Sequence, residues 1–196
     1  MYKKQLKFQK IVCLLAIISS AVVFIYALGI MTDLYDSLYT TMRDPTDHLN
    51  TKVTGSIVYY DMQGFNRTFL KVSIGLILVS CLLFITNTNI RRKYYIGNYF
   101  SVGLFTVCNA VTAIWAHGQI EAFKAQFLKV DFAALKEFSE MWGTLYTEST
   151  FWFDIHYAVF GLALAAAALL IVNTVWKIIL MKEEKSLIEA GKGAAA

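Results

Sequence analysis

Several things are scarce in this chain, and each absence excludes something. Pro45 is the only proline, and no low-complexity linker is present, so residues 1–196 read as one domain with no soluble module attached. Cys13, Cys81 and Cys108 all lie inside apolar runs. No outward loop therefore carries a disulfide framework, and the spacings suit no metal, so the three thiols read as small apolar core residues. The chain has no Gly-rich phosphate loop, nucleophile elbow or CxxC pair. Charge is missing over long stretches as well. From Ile155 to Leu180, IHYAVFGLALAAAALLIVNTVWKIIL, the only ionisable residues are His156 and Lys177. That is too long and too apolar for an ordinary core helix, and about the length that crosses a bilayer.

Hydrophobic residues make up 57% of the chain, above the roughly 45–50% of a soluble domain, and the excess sits in four blocks. The sequence predicts an all-α membrane protein. Its four transmembrane helices lie at about 11–31, 69–86, 95–116 and 155–180, arranged as two helical hairpins. Two partly helical excursions, 32–68 and 117–154, separate the members of each hairpin. Residues 1–10 read as a short basic tail. Ala27-Leu28-Gly29 faintly resembles a signal-peptidase site, but the apolar region before it exceeds the usual ~7–15 residues, so an uncleaved signal anchor is expected.

Within the first excursion, Leu34, Tyr35, Leu38, Tyr39 and Met42 recur at helical spacing, which extends helix 1 over Thr32 to Arg43 until Asp44-Pro45-Thr46-Asp47 ends it. Thr54-Gly55 and Gln63-Gly64 read as turns around SIVYYDM, a short strand or irregular segment, with Asn66 or Thr68 capping helix 2. Asn87 to Lys93 reads as a tight basic connection. In the second excursion Asp131 is placed to cap a helix whose apolar face carries Phe132, Leu135, Phe138, Met141, Trp142 and Leu145. The tail after helix 4 is charged and expected to fray.

Basic residues set the expected orientation. Lys3, Lys4, Lys7, Lys10, Arg91, Arg92, Lys93, Lys177, Lys182, Lys185 and Lys192 put 11 of 18 on one side, while the other side holds 11 of the 14 acidic residues. The basic side is then cytoplasmic, both termini are inside (N-in/C-in), and both excursions are extracytoplasmic, in a plasma (cytoplasmic) membrane. Trp115, Trp142 and Trp152 fall near the outer interface and Trp176 near the inner one. The net charge of +4 flanks hydrophobic blocks instead of forming a stripe, so nucleic acid is not an expected partner. This plan resembles that of claudin-like and tetraspanin-like proteins. Their Cys-Cys-Gly and paired loop cysteines are absent, and no family is assigned.

Chemistry-bearing residues are few. His117 ends helix 3, His156 begins helix 4, and Asp154 lies two residues before His156. Adjacent antiparallel helices put the two imidazoles at similar depth, where with Asp154 they could bind a metal or form an acid–base pair. No H-x-x-x-H or H-E-x-x-H spacing supports that, and the bland alternative is hydrogen bonding to loop backbone and water. The sequence calls for no cofactor. Lys71, one turn into helix 2, reads as snorkelling to the interface. Mid-membrane polarity is mild and neutral: Ser19, Ser20, Ser73, Ser80, Thr106, Asn109 and Asn173. Without an ionisable group at the bilayer centre a proton-driven transporter is disfavoured, whereas Thr106, Asn109 and Asn173 could line a passive path.

Ala158, Gly161, Ala165 and Ala168 fall on one face of helix 4 at steps of 3, 4 and 3, as in close helix packing in lipid, within the chain or against another subunit. The function expected is that of a non-catalytic accessory or self-assembling subunit of a membrane complex. Its partners would be the lipid bilayer and other membrane subunits or a second copy. The alternatives are a small channel or transporter subunit, and an outer-leaflet enzyme using the histidine pair on a lipid-linked substrate.

Overall fold

The computed structural model describes residues 2–32, 52–88, 95–143 and 145–193. Among these residues the chain is all helical, with no strand, and four of its helices are long and apolar enough to cross a membrane. In chain order the elements are α1 (Tyr2–Thr32), α2 (Val58–Thr88), α3 (Tyr95–Phe127), α4 (Phe132–Trp142), α5 (Phe151–Asp154) and α6 (His156–Gly193). The four long helices form a ring in which α1 touches α2 and α6, and α3 touches α2 and α6. Paired positions show that neighbours are antiparallel. Gln9 meets Asn87 and Tyr26 meets Phe69 across α1 and α2. Thr86 meets Ser101 across α2 and α3. Asn109 meets Ala163 across α3 and α6. Gln5 meets Asn173 across α6 and α1.

The sequence pattern that builds this ring is a repeat of 3 and 4. On α1 the buried face is Gln5, Gln9, Val12, Ala16, Ser19, Val23, Tyr26 and Ile30. On α2 it is Met62, Asn66, Phe69, Ser73, Leu76, Ser80, Leu83 and Asn87. Such a repeat keeps one stripe facing a neighbour along the whole helix. Each stripe carries small residues near its middle, Ala16 and Ser19 on α1 and Ser73 and Ser80 on α2, and the serines return their hydroxyls to their own helix. Ser19 and Ser20 donate to the Ala16 carbonyl, Ser73 to that of Leu70, and Ser80 to that of Ile77. These four hydroxyls are therefore satisfied within their own helices, and the backbones can approach closely. The outward faces carry the bulky aliphatics instead: Ile11, Leu14, Ile18 and Ile25 on α1, and Ile74, Leu78, Leu82 and Ile85 on α2. Val107, Val111 and Ile114 continue the belt on α3, and Leu164, Ile171 and Val175 on α6. A soluble bundle would place these groups the other way round.

The helices run beyond the bounds expected from sequence. The basic tail is the start of α1, because Gln5 and Gln9 point inward while Lys3, Lys4, Lys7 and Lys10 point out. The segment SIVYYDM is neither strand nor irregular beyond its first two residues, since α2 begins at Val58. Gln63-Gly64 is helix interior, not a turn, and Asn66 and Thr68 lie inside α2 and cap nothing. Apolar Val58, Tyr59, Met62, Phe65 and Phe69 recur at helical spacing there, and that periodicity outweighs the local turn chemistry. The residues after Ala116 continue α3 to Phe127, and the charged tail continues α6 to Gly193. The expected helix over 32–43, its Asp44–Asp47 stop, and residues 89–93 of the basic connection lie outside the described residues.

At the end where α1 stops and α2 begins, aromatic rings close the bundle. Tyr26 packs on Phe69, Trp152 and Phe160; Phe65 packs on Trp115 and Phe123; Phe127 packs on Tyr59, Phe132 and Phe153. The Tyr26 hydroxyl donates to the Trp152 carbonyl at 2.8 Å. Asp131 caps α4 as expected, its carboxylate accepting from the amides of Ala133 and Ala134 at 3.1 Å. Gly143, in the left-handed region, ends that helix. Leu135 and Phe138 are buried, whereas Met141, Trp142 and Leu145 of the expected apolar face are exposed. The Asp131 amide donates to the Thr54 carbonyl at 3.0 Å, tying the entry of α2 to the entry of α4.

Two glycines give a paired test. Gly55 sits at φ +83°, and a Cβ there would stand 2.8 Å from the Lys129 carbonyl oxygen. Gly64 is helical, and a Cβ there would meet nothing within 4 Å. Gly55→Ala should therefore destabilise by about 1–3 kcal/mol, and Gly64→Ala should stabilise by about 0.5–1 kcal/mol. Melting temperatures in one detergent should move in opposite directions; a shift of the same sign in both would contradict this reading of residues 55–64.

Candidate functional site

Because α3 continues past Ala116, His117 and Glu121 stand one turn apart on the same face of it. Across from them α6 begins at His156, set by the short α5 and a helical Ile155. The structure brings His117 and His156 together, with Nδ1 of His117 2.8 Å from Nε2 of His156. His156 is fully buried and His117 is exposed. Nδ1 of His156 lies against the Phe153 carbonyl, which can only accept, so that nitrogen carries the hydrogen. Nε2 of the neutral ring then holds a lone pair, to which His117 Nδ1–H donates. Tyr157 lies tilted against His156 with centroids 4.1 Å apart, and Phe160 meets the ring edge-on at 5.7 Å. The buried imidazole is held by packing and by one backbone bond, and its other nitrogen faces the exposed partner.

The carboxylate at this pair is Glu121, not Asp154. Glu121 Oε1 is 3.8 Å from His156 Nε2 and accepts from the Tyr157 hydroxyl at 2.9 Å. Asp154 is engaged elsewhere: Lys124 Nζ lies 2.5 Å from its Oδ1, and the Thr150 hydroxyl donates to Oδ2 at 2.7 Å. Sequence reasoning missed Glu121 because the polar run His117-Gly118-Gln119 read as the end of helix 3. With that helix extended, the i, i+4 spacing of His117 and Glu121 is the signal that finds it.

Of the residues expected to line a path, Asn109 and Asn173 bond across the bundle. The Asn109 amide donates to the Ala163 carbonyl at 2.7 Å, and both are buried. Asn173 accepts from Gln5 at 3.0 Å, ten residues and therefore about 15 Å of helix away from Ala163. The Thr106 hydroxyl is buried without a partner among the described residues. From Asn173 a polar chain crosses the whole bundle. The Gln5 amide donates to Asn173 and to Gln9, Gln9 donates to the Asn87 carbonyl, and the Asn87 amide donates to Ser101 at 3.0 Å. Ser101 in turn shares a 2.7 Å hydrogen bond with Thr86. All four long helices are joined at one level by neutral groups. Sequence reasoning missed most of these residues, because a polar side chain near a helix end reads as solvated; the 4-residue spacing of Gln5 and Gln9 is the signal that marks them.

The α6 stripe also needs correction as a contact within the chain. Ala158, Gly161, Ala165 and Ala168 are all exposed, and a Cβ at Gly161 would meet nothing within 4 Å. The small residues that admit α1 and α3 to α6 are Ala163, Ala166 and Ala167, which are buried. Elsewhere, Lys71 is exposed on α2, and Asn66 is buried with both amide atoms unpartnered among the described residues. Cys13 is buried, Cys81 and Cys108 are half-buried, and all three are free thiols.

Fold and site together define a helical bundle of membrane-spanning length, with a polar belt across one end and a histidine cluster at the other. No family model, curated protein or solved structure matches the chain.

The polar belt can be tested directly. Gln5→Ala and Asn173→Ala should each lower stability, and a double-mutant cycle should give a coupling of about 0.6 kcal/mol, up to ~1.7. Unfolding in mixed micelles reads it. Strict additivity of the two substitutions would mean that the amides do not bond across α1 and α6.

Proposed function

We propose that this chain is a non-catalytic subunit of a plasma-membrane assembly, with both termini cytoplasmic and the aromatic cap outside. It receives another transmembrane helix on the outward face of α6. The observation that carries the reading is the composition of that face. Like the other three helices, α6 turns Leu and Ile outward, among them Leu164, Leu169 and Ile171, but it also exposes Ala158, Gly161, Ala165 and Ala168 in one stripe. Lipid gains nothing from small side chains, and a glycine inside a helix costs up to about 1 kcal/mol relative to alanine. A second helix does gain, because its backbone can come close. Exposed Met141, Trp142 and Leu145 in the cap extend the apolar surface beyond the membrane-spanning length on the outer side. The excess of lysine and arginine at the opposite end supports the orientation.

Gly161→Leu and Ala165→Leu should leave the melting temperature of the isolated subunit unchanged, since neither position packs within the chain. Both should reduce the mass of the assembly in mild detergent. Loss of a second copy identifies self-assembly, and loss of a different chain identifies an accessory role. If both variants retain the wild-type mass, α6 faces lipid and the proposal fails. Orientation is read separately. A cysteine at Glu140 should react with an impermeant thiol reagent added to intact cells, and one at Lys182 should not. The reverse pattern would invert the topology.

A further inference from the structure

We infer that His117, Glu121 and His156 form a binding site for a single divalent zinc ion at the cap end of the bundle. This is independent of any assembly through α6. The three side chains each offer one ligand atom, and these atoms lie within 4.8 Å of one another. The set is two imidazole nitrogens and one carboxylate oxygen. Such a mixture suits zinc, which takes nitrogen at about 2.0–2.1 Å and carboxylate oxygen at about 2.0–2.2 Å. It suits magnesium and calcium poorly, since both prefer all-oxygen shells.

The surroundings are those a metal ligand needs. His156 gives its Nδ1 hydrogen to the Phe153 carbonyl, which fixes the ring and leaves the Nε2 lone pair aimed at the cluster. An outer bond of this kind orients a ligating imidazole and raises its basicity. The Tyr157 hydroxyl bonds the Glu121 carboxylate at 2.9 Å and holds it on the same side. The neighbouring cation, Lys124, is held by Asp154 at 2.5 Å, in an ion pair that does not include Glu121.

His117 and Glu121 come from adjacent turns of one helix, and His156 comes from the next helix, so the ion would clasp α3 to α6. Loading requires one adjustment. Two nitrogens on a tetrahedral zinc stand about 3.3 Å apart, from the bond lengths above. Here they are 2.8 Å apart, joined by a hydrogen bond. Zinc would take the place of that hydrogen bond, with the His117 hydrogen moving to Nε2 by exchange with solvent and the exposed His117 ring swinging out by the half ångström needed. Three protein ligands leave a fourth position open to water.

The test uses the full chain in detergent, stripped with a chelator and titrated with zinc alone. One zinc should bind per chain and raise the melting temperature, while magnesium at the same concentration should not. Cobalt in place of zinc should give the visible absorption of a tetrahedral site. His117→Ala and Glu121→Gln should each weaken zinc binding at least tenfold. Both residues are outside the buried core, so these variants should fold, with metal-free melting temperatures near that of the wild type. Asp154→Asn should bind zinc as the wild type does. Failure of the wild type to bind zinc, or equal affinity in the His117 and Glu121 variants, would overturn the inference and leave the two imidazoles as a hydrogen-bonded pair.

Discussion

Everything in this fold depends on how backbone and side-chain polarity are satisfied without water. Hydrocarbon offers no hydrogen bonds, so each spanning segment must close its own backbone ladder as a helix. Side chains obey the same constraint one level up. The serines on the inner stripes bond back to their own carbonyls, and the amides of Gln5, Gln9, Asn87 and Asn173 bond to groups on neighbouring helices. Bulky aliphatic groups are left to face outward. With no hydrophobic force driving helices together in lipid, contact comes from close packing of the 3–4 stripes on α1 and α2, where Ala16, Ser19, Ser73 and Ser80 let the backbones approach.

The two ends of the bundle solve the remaining problem differently. At the end carrying Gln5 and Asn173 the four helices are joined by neutral hydrogen bonds, with lysines turned outward around them. At the other end they are joined by rings. Tyr26, Phe69 and Phe160 interlock across α1, α2 and α6, and Phe65 with Trp115 extends the cluster to α3. His156 belongs to this aromatic layer through Tyr157 and Phe160, and His117 stands at its rim. An imidazole buried at that level, with one nitrogen committed to a carbonyl, is rigid enough to act as a fixed ligand.

The four apolar blocks were legible because a charge-free run of membrane length has few other readings. Their ends were not. Lys3, Lys4, Lys7 and Lys10 dominate the first ten residues and hide the inward face formed by Gln5 and Gln9. Gln63-Gly64 has turn composition, but the apolar spacing around it belongs to a helix that packs on both α1 and α3. The convergence of His117 and His156 followed from antiparallel neighbours alone. The choice of carboxylate did not, because it depended on how far α3 runs. Spacing also could not tell the two small faces of α6 apart. The segment GLALAAAALL offers alanine on both, and only the packed bundle shows that Ala163, Ala166 and Ala167 face inward while Ala165 and Ala168 face out.

The central claim is that this bundle turns its aliphatic groups outward to hydrocarbon and its small and polar groups inward. Spin labels placed singly along α2 and reconstituted into bilayers test it most directly, by their collision rates with oxygen, which concentrates in the hydrocarbon. The account predicts high rates at Ile74, Leu78, Leu82 and Ile85 and low rates at Ser73, Leu76, Ser80 and Leu83, alternating with the helical period. Uniform rates along the helix, or maxima at the second set of positions, would contradict it.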